Sequence, residues 1–284
     1  MFKKLQKEIL RIKERTKPIS NRKLQRKLTQ IENILTSLKA DEIRKNESKI
    51  FYFNNHFDRF DGFCSYPNAP EIIMYLPNAL NDFIQSEIIK RNDFFSANVI
   101  KKADLYLKDG ANILDIGANI GNNSLYWALV RKAKKIYSFE PILSSYEILL
   151  KNIQLNTLDT IIKPFNFALG KNKSKASIHT TSFHNIGVTS LKDDENGDLE
   201  VRSLDNLLSE GFFKERIDFI KIDVEGFENK VLLGGGEFMK QHKPVVMIEI
   251  FERNYKEIST ILHSYGYEKT EQISDEDYIF RNKN

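Results

Sequence analysis

A single cysteine, Cys64, leaves the 284-residue chain without an internal disulfide framework and without a cysteine zinc site. No apolar run approaches the roughly 20 residues needed to cross a bilayer, and the N-terminus is too charged for the apolar centre of a signal peptide. Internal repeats and low-complexity stretches are missing too. These absences predict a soluble protein in a reducing, cytoplasmic setting. The length suits one large domain with an appendage better than two equal domains.

Charge is unevenly spread. Residues 1–50 carry fifteen Lys+Arg against six Asp+Glu, a local +9 in a chain of net +4, so the remainder is −5. Leu5, Ile9 and Ile12, and after Lys17-Pro18 the series Leu24, Leu28, Ile31, Leu35 and Leu38, fall at helical spacing on one face. Residues 1–49 therefore read as a basic amphipathic helical arm. Its stripe packs on the body or on a twin in a homodimer. The competing reading is peripheral contact with anionic lipid at the inner membrane surface, although the stripe lacks aromatic anchors.

Residues 50–94 form an aromatic-rich accessory segment, expected as short strands and loops near a ligand mouth, and Asn92 to Leu107 reads as a helix. The domain over 95–284 then alternates. Strands are expected at Asn112–Ile116, Lys135–Phe139, Ile161–Ala168, Ile217–Ile222 and Pro244–Ile250, with helices at Ser124–Lys132, Ile142–Asn156 and Asn254–Tyr265. Extra strands are read at 175–181 and 199–202, and a closing antiparallel pair at 267–270 and 278–281. The fold class is α/β: a Rossmann-like, doubly wound, mostly parallel sheet.

The organising stretch is Asp115-Ile-Gly117-Ala118-Asn119-Ile-Gly121, with Asn122 opening the helix. Strand, glycine turn and helix start form the usual cradle for a nucleotide-type cofactor. No G-x-G-x-x-G triplet is present, and the acid Asp115 at the strand end would repel a pyrophosphate. It suits a ligand bearing positive charge, and S-adenosyl-L-methionine, with a sulfonium, an ammonium and no phosphate, is such a ligand. Glu140, at the end of the next strand, can accept hydrogen bonds from both ribose hydroxyls.

Leu114-Asp-Ile-Gly-Ala-Asn-Ile-Gly121, Tyr137-Ser-Phe-Glu-Pro141, Asn152-Ile-Gln-Leu-Asn156, Ala168-Leu-Gly170 and Ile217-Asp-Phe-Ile-Lys-Ile-Asp-Val-Glu-Gly226 stand in this order. By these blocks, across roughly 113–266, the chain resembles the FkbM family of S-adenosylmethionine-dependent methyltransferases. The resemblance implies a class I methyltransferase-like fold. It implies cofactor contacts from the backbone of Gly117, Ala118, Asn119 and Gly121, from Asn122, and from Asn166 to Ala168 beside the adenine.

Methyl transfer to a hydroxyl needs alignment and a destination for the proton. Asp223 and Glu225 follow a strand ending at Ile222 and precede Gly226, so they project where the chemistry is needed. Asp223 is assigned to the site as both a catalytic and a cofactor-binding residue, with Glu225 beside it; the alternative for Glu225 is a carboxylate that stabilises the dipole at the N-terminus of a helix from Phe227 to Leu233. Lys221 reads as a buried partner of a carboxylate. His184, in a loop with Gly187 and several hydroxyl residues, is the leading general-base candidate. Glu249 could join Asp223 and Glu225 as oxygen ligands for Mg²⁺, but no spacing motif supports this and no metal site is assigned.

The Asn/Asp-Pro-Pro-aromatic and Pro-Cys signatures of base-modifying enzymes are missing, which disfavours nucleic acid. The expectation is an O-methyltransferase acting on a hydroxyl-bearing acceptor, foremost a sugar of a glycan, glycolipid or glycosylated metabolite. The alternative is a non-catalytic scaffold that keeps the fold and is anchored by its basic helices.

Overall fold

The computed structural model describes residues 50–54, 71–180 and 189–283. The arm over 1–49, Cys64 and the loop with His184 lie outside the described residues, so the readings placed on them receive no structural account. Among the described residues no helix is long and apolar enough to cross a membrane.

In chain order the elements are β1 (Ile50–Asn54), β2 (Glu71–Tyr75), α1 (Phe83–Arg91), α2 (Ala97–Ala103), β3 (Asn112–Ile116), α3 (Asn122–Leu129), β4 (Lys135–Phe139), α4 (Leu143–Leu155), β5 (Ile162–Phe165), β6 (Ala168–Leu169), β7 (Ser174–Thr180), β8 (Thr189–Asp193) and β9 (Leu199–Arg202). They continue with α5 (Leu204–Ser209), β10 (Phe219–Ile222), α6 (Glu228–Leu233), α7 (Gly236–His242), β11 (Val245–Glu249), α8 (Tyr255–Ser264), β12 (Tyr267–Gln272) and β13 (Asp277–Asn282).

Seven strands form the main sheet in the order β12-β13-β11-β10-β3-β4-β5. β11 through β5 run parallel, and β13 and β12 close the edge antiparallel. Every residue of β3 is buried, as expected for a central strand covered on both faces. One face packs Ile113, Phe219, Met247 and Ile279 against α2, α3 and α4; the other packs Leu114, Ile220, Ile248 and Phe280 against α6 and α8. The sequence leaves β3 toward β4 on one side and returns through β10 on the other. The strand order therefore reverses at β3, and ligand crevices form at such a switch point.

Three differences from the sequence reading have physical causes. The strand expected over 161–168 is two strands in two sheets, because Asn166 turns the chain by donating from Nδ2 to the carbonyls of Glu140 and Pro141. β6 then joins the four-stranded sheet β6-β9-β7-β8. The helix expected from Asn92 starts only at Ala97, since Asn92 and Ser96 are left-handed (φ 55° and 52°). Helix α1 stands where loops were expected: Asp82 caps it through the Gln85 N–H, and Asn92 supplies the left-handed exit.

Hairpin β1–β2 is tied to the body by side chains. Asn152 accepts from the Tyr75 N–H and donates to Ile120 O, while Asn156 accepts from the Ile73 N–H and donates to its carbonyl. Two asparagines of one sequence block thus satisfy the outer edge of β2, where unpaired backbone groups would otherwise be costly.

Candidate active site

Register places a row of acids along the carboxyl edge of the sheet. Ile116 pairs with both Phe139 and Ile222, Ile222 pairs with Ile248, and Glu249 pairs with Asp277. The next position on each strand therefore brings Gly117, Glu140, Asp223, Glu249 and Asp277 into one line across five neighbouring strands. Two acids opposite each other, as at Glu249 and Asp277, weaken a sheet when both ionise, and such departures from local rules concentrate at functional sites. The line borders a cavity of about 360 Å³ in which Lys221 is the only lysine or arginine among the described lining residues.

The glycine turn serves packing more than ligand approach. Gly117 has φ +80°, and a Cβ there would lie 1.8 Å from the Asp223 carbonyl oxygen. Gly121, at φ +90°, faces Leu149 of α4 and is absent from the cavity wall. Gly117, Ala118, Asn119 and Asn122 do line the cavity.

Glu140 is 6% exposed and already oriented: the backbone N–H groups of Asn119 and Ile142 donate to Oε2 and Oε1, each at 2.8 Å. Each oxygen keeps further acceptor capacity for a ligand hydroxyl. Burial pushes its carboxyl up to about 7, against those two backbone donors.

Asp115 departs from its expected place at the ligand. It is 0% exposed, lies within β3 and does not line the cavity. Its Oδ2 accepts from Ser124 Oγ at 2.6 Å, and Oδ1 stands 3.6 Å from Lys221 Nζ. Side chains alternate along a strand, so Asp115 points toward the α3 face one row below the rim, where protein rather than ligand meets it. Lys221, from the same row of β10, also contacts Asp223 Oδ2 at 3.0 Å and donates to Gly117 O at 3.1 Å. Burial pulls its ammonium down, but the charges of Asp223 and Asp115 outweigh this and hold it above the ordinary lysine value.

Asp223, Glu225 and Glu249 each present an oxygen within 4.8 Å of the others. That spacing would admit a shared proton or a small cation, and no motif assigns a metal. Burial, with the Asp223 and Glu228 charges, pushes Glu225 up to about 7. Burial, with the Asp223, Glu225 and Asp277 charges, pushes Glu249 up to about 10. Glu225 is held in the left-handed region (φ 53°), a conformation that costs a non-glycine residue about 1–2 kcal/mol. The first turn of α6 carries Glu228, whose Oε1 accepts from the Gly226 and Val224 N–H groups of the loop that leads into the helix.

The far wall comes from α1, α2 and the loop between them: Phe83, Ile84, Phe95, Ser96 and Val99. Asn122 pins that loop, accepting from the Phe95 N–H and donating to its carbonyl. Phe83 and Phe95 meet edge to face at 5.8 Å, with Phe83 52% exposed at the rim. Ala168 lines the opposite side with Phe167, whereas Asn166 acts from behind on the Glu140 and Pro141 carbonyls.

The cavity thus gathers Gly117, Ala118, Asn119, Asn122, Glu140, Ala168, Asp223 and Glu225, and leaves Asp115, Gly121 and Asn166 as supports. Sequence reasoning missed Asp277, Phe83 and Phe95 as wall residues. Asp277 was hidden because only pairing with β11 brings it to the rim. His184 lies outside the described residues, although the following strand places Thr189 and Leu191 on the cavity wall.

A parallel sheet with a glycine turn and acidic strand ends around a switch-point cavity defines a Rossmann-like protein with a small-ligand site. The family model for the methyltransferase FkbM domain matches residues 115–269, more than half of the chain, and the chain belongs to that family. Methyltransferase sdnD of Sordaria araneosa is 28% identical over 193 residues, which is 56% of this chain and 74% of that protein. A methyltransferase FkbM from Methylobacillus flagellatus KT matches at TM-score 0.45 and 20% identity over 63% of this chain; the match spans 45% of that longer protein. Precorrin-6y C5,15-methyltransferase from Geobacter metallireducens GS-15 matches at TM-score 0.40 and 12% identity, over 66% of this chain and 85% of that one.

Proposed function

We propose that the chain is an S-adenosyl-L-methionine-dependent O-methyltransferase whose acceptor is a hydroxyl of a sugar in a glycan, glycolipid or glycosylated metabolite. The observation that carries the cofactor assignment is Glu140, a buried carboxylate held by two backbone donors with acceptor capacity left on each oxygen. The acidic lining fits a cationic, phosphate-free ligand, since five acidic side chains and one lysine line the cavity among the described residues. Glu140 would hold the ribose hydroxyls, the backbone from Gly117 to Asn119 and Ala168 would border the adenosine, and Asp223 would face the cationic end. When bound, the cofactor supplies an electrophilic methyl group.

The acceptor reading rests on the mixed wall. Carboxylates take hydrogen bonds from several hydroxyls of a ring, and the side chains of Phe83 and Phe95 offer an apolar surface for its C–H face. Glu225 is the described group suited to take the hydroxyl proton, because a base whose value lies near the working pH is most effective. Its side chain would receive the proton at a carboxylate oxygen while Lys221 keeps Asp223 in place. His184 is the rival base.

The test is transfer of an isotopically labelled methyl group to a panel of methyl pyranosides and glycolipids. Label in a base-stable ether supports the proposal. Label only in a base-labile ester, or none after cofactor binding is established, would remove the hydroxyl assignment.

A further inference from the structure

We propose that Lys221 is a positioning residue that sorts the carboxylates of the cavity: it binds Asp115 and Asp223 as its own partners and leaves Glu225 and Glu249 without a cation, as the pair through which a proton can pass. The assignment rests on placement. Lys221 is 5% exposed and its ammonium is enclosed by Asp223 Oδ2 at 3.0 Å, Gly117 O at 3.1 Å and Asp115 Oδ1 at 3.6 Å. Two of its donors thus meet Asp223 Oδ2 and Gly117 O, and the third faces Asp115 Oδ1 at ion-pair distance, an oxygen with no hydrogen-bond partner of its own. Glu225 and Glu249, whose oxygens lie within 4.8 Å of Asp223, form no ion pair with a lysine or arginine among the described residues.

The charges that act on Glu225 come from Asp223, Glu228 and Glu276, which oppose its ionisation, and from Lys221, which favours it; on Glu249 the Asp223 charge acts first and Glu225 next, with a side-chain hydrogen bond to Asp223 besides. Among the described residues Lys221 is therefore the one cation in this balance. Its removal would leave the acids to share more protons at any given pH. The inference deepens the proposed chemistry, since it makes Lys221 the reason that a proton goes to Glu225 rather than to Asp223, and it rests on that reading only for this consequence.

The test needs no acceptor. Carboxyl-¹³C glutamate is incorporated into the full chain, the Glu225 signal is identified by its loss in Glu225→Gln, and its titration is followed. Lys221→Met alone strands the buried Asp115 charge and risks unfolding, so the informative variant is Asp115→Asn with Lys221→Met, which removes both charges together. The expected result is a Glu225 midpoint near that of the parent in Lys221→Arg and at least about one unit higher in the double variant, a tenfold change in its acid constant. A midpoint unmoved in the folded double variant, or moved as far by Lys221→Arg, would overturn the inference and leave Lys221 a packing residue. Calorimetric titration of the parent with S-adenosylhomocysteine separates the two readings: absent binding fails the proposed function, whereas an unmoved Glu225 beside normal binding fails this inference alone.

Discussion

Gly117 and Asp223 are in backbone contact across β3 and β10: a Cβ on Gly117 would lie 1.8 Å from the Asp223 carbonyl oxygen. The tip of the glycine turn and the acidic exit of the neighbouring strand are thus one packed unit. Gly117→Ala should cost on the order of 3 kcal/mol in urea unfolding, from overpacking combined with a positive φ. Gly226 is the control. It has φ +97° but open space around it, so Gly226→Ala should lose only about 1–2 kcal/mol. Equal losses would show that backbone strain alone explains both glycines.

How much of this was legible depends on how local the cause is. The centres of β3, β4, β10 and β11 follow from short apolar runs punctuated by glycine, proline and acid, a signal contained within each segment. The expected roles of Glu140, Asp223 and Glu225 at strand ends needed only strand order. Asp115 was misplaced because the sequence puts it beside the turn, whereas strand alternation and the arrival of Lys221 from β10 enclose it. Asp277 and the α1–α2 wall depend on pairing and packing between distant segments, for which no local pattern exists.

Glu140 gives a second prediction. Its folded value of about 7 lies above the ordinary 4.5, so between those values the folded chain keeps a proton that the unfolded chain releases. Its contribution to stability is therefore fullest below about 4.5 and falls as pH rises through that window. The difference in urea midpoint between the parent and Glu140→Gln should change in that sense from pH 4.5 to 7.5. A difference that does not vary with pH would mean that Glu140 is not the titrating group.

Glu225 is strained and partly buried, so Glu225→Gly should raise stability by about 1 kcal/mol while removing the proposed base. With a working acceptor, Glu225→Gln should lower kcat by roughly 10²–10⁴ with cofactor affinity retained. If His184→Ala instead produces that loss and Glu225→Gln does not, the proton goes to the histidine.

Asn152 is fully buried and serves both the Tyr75 N–H and the Ile120 carbonyl. Asn152→Ala leaves both groups unsatisfied and should cost about 1–3 kcal/mol each. Hydrogen exchange should show the Tyr75 amide losing protection before the centre of β3 does. Simultaneous loss at both would show that hairpin and sheet open as one unit.

The most direct test of the account is calorimetric titration of the full chain and of Glu140→Ala with S-adenosylhomocysteine at pH 7.5 and 6. The account predicts saturable one-site binding by the parent, weaker at pH 6 because the ribose hydroxyls need the ionised carboxylate. It also predicts a loss of about 1.5–3 kcal/mol in Glu140→Ala, the worth of hydrogen bonds to a charged group. Absence of binding by the parent, or equal binding by parent and variant, would contradict it.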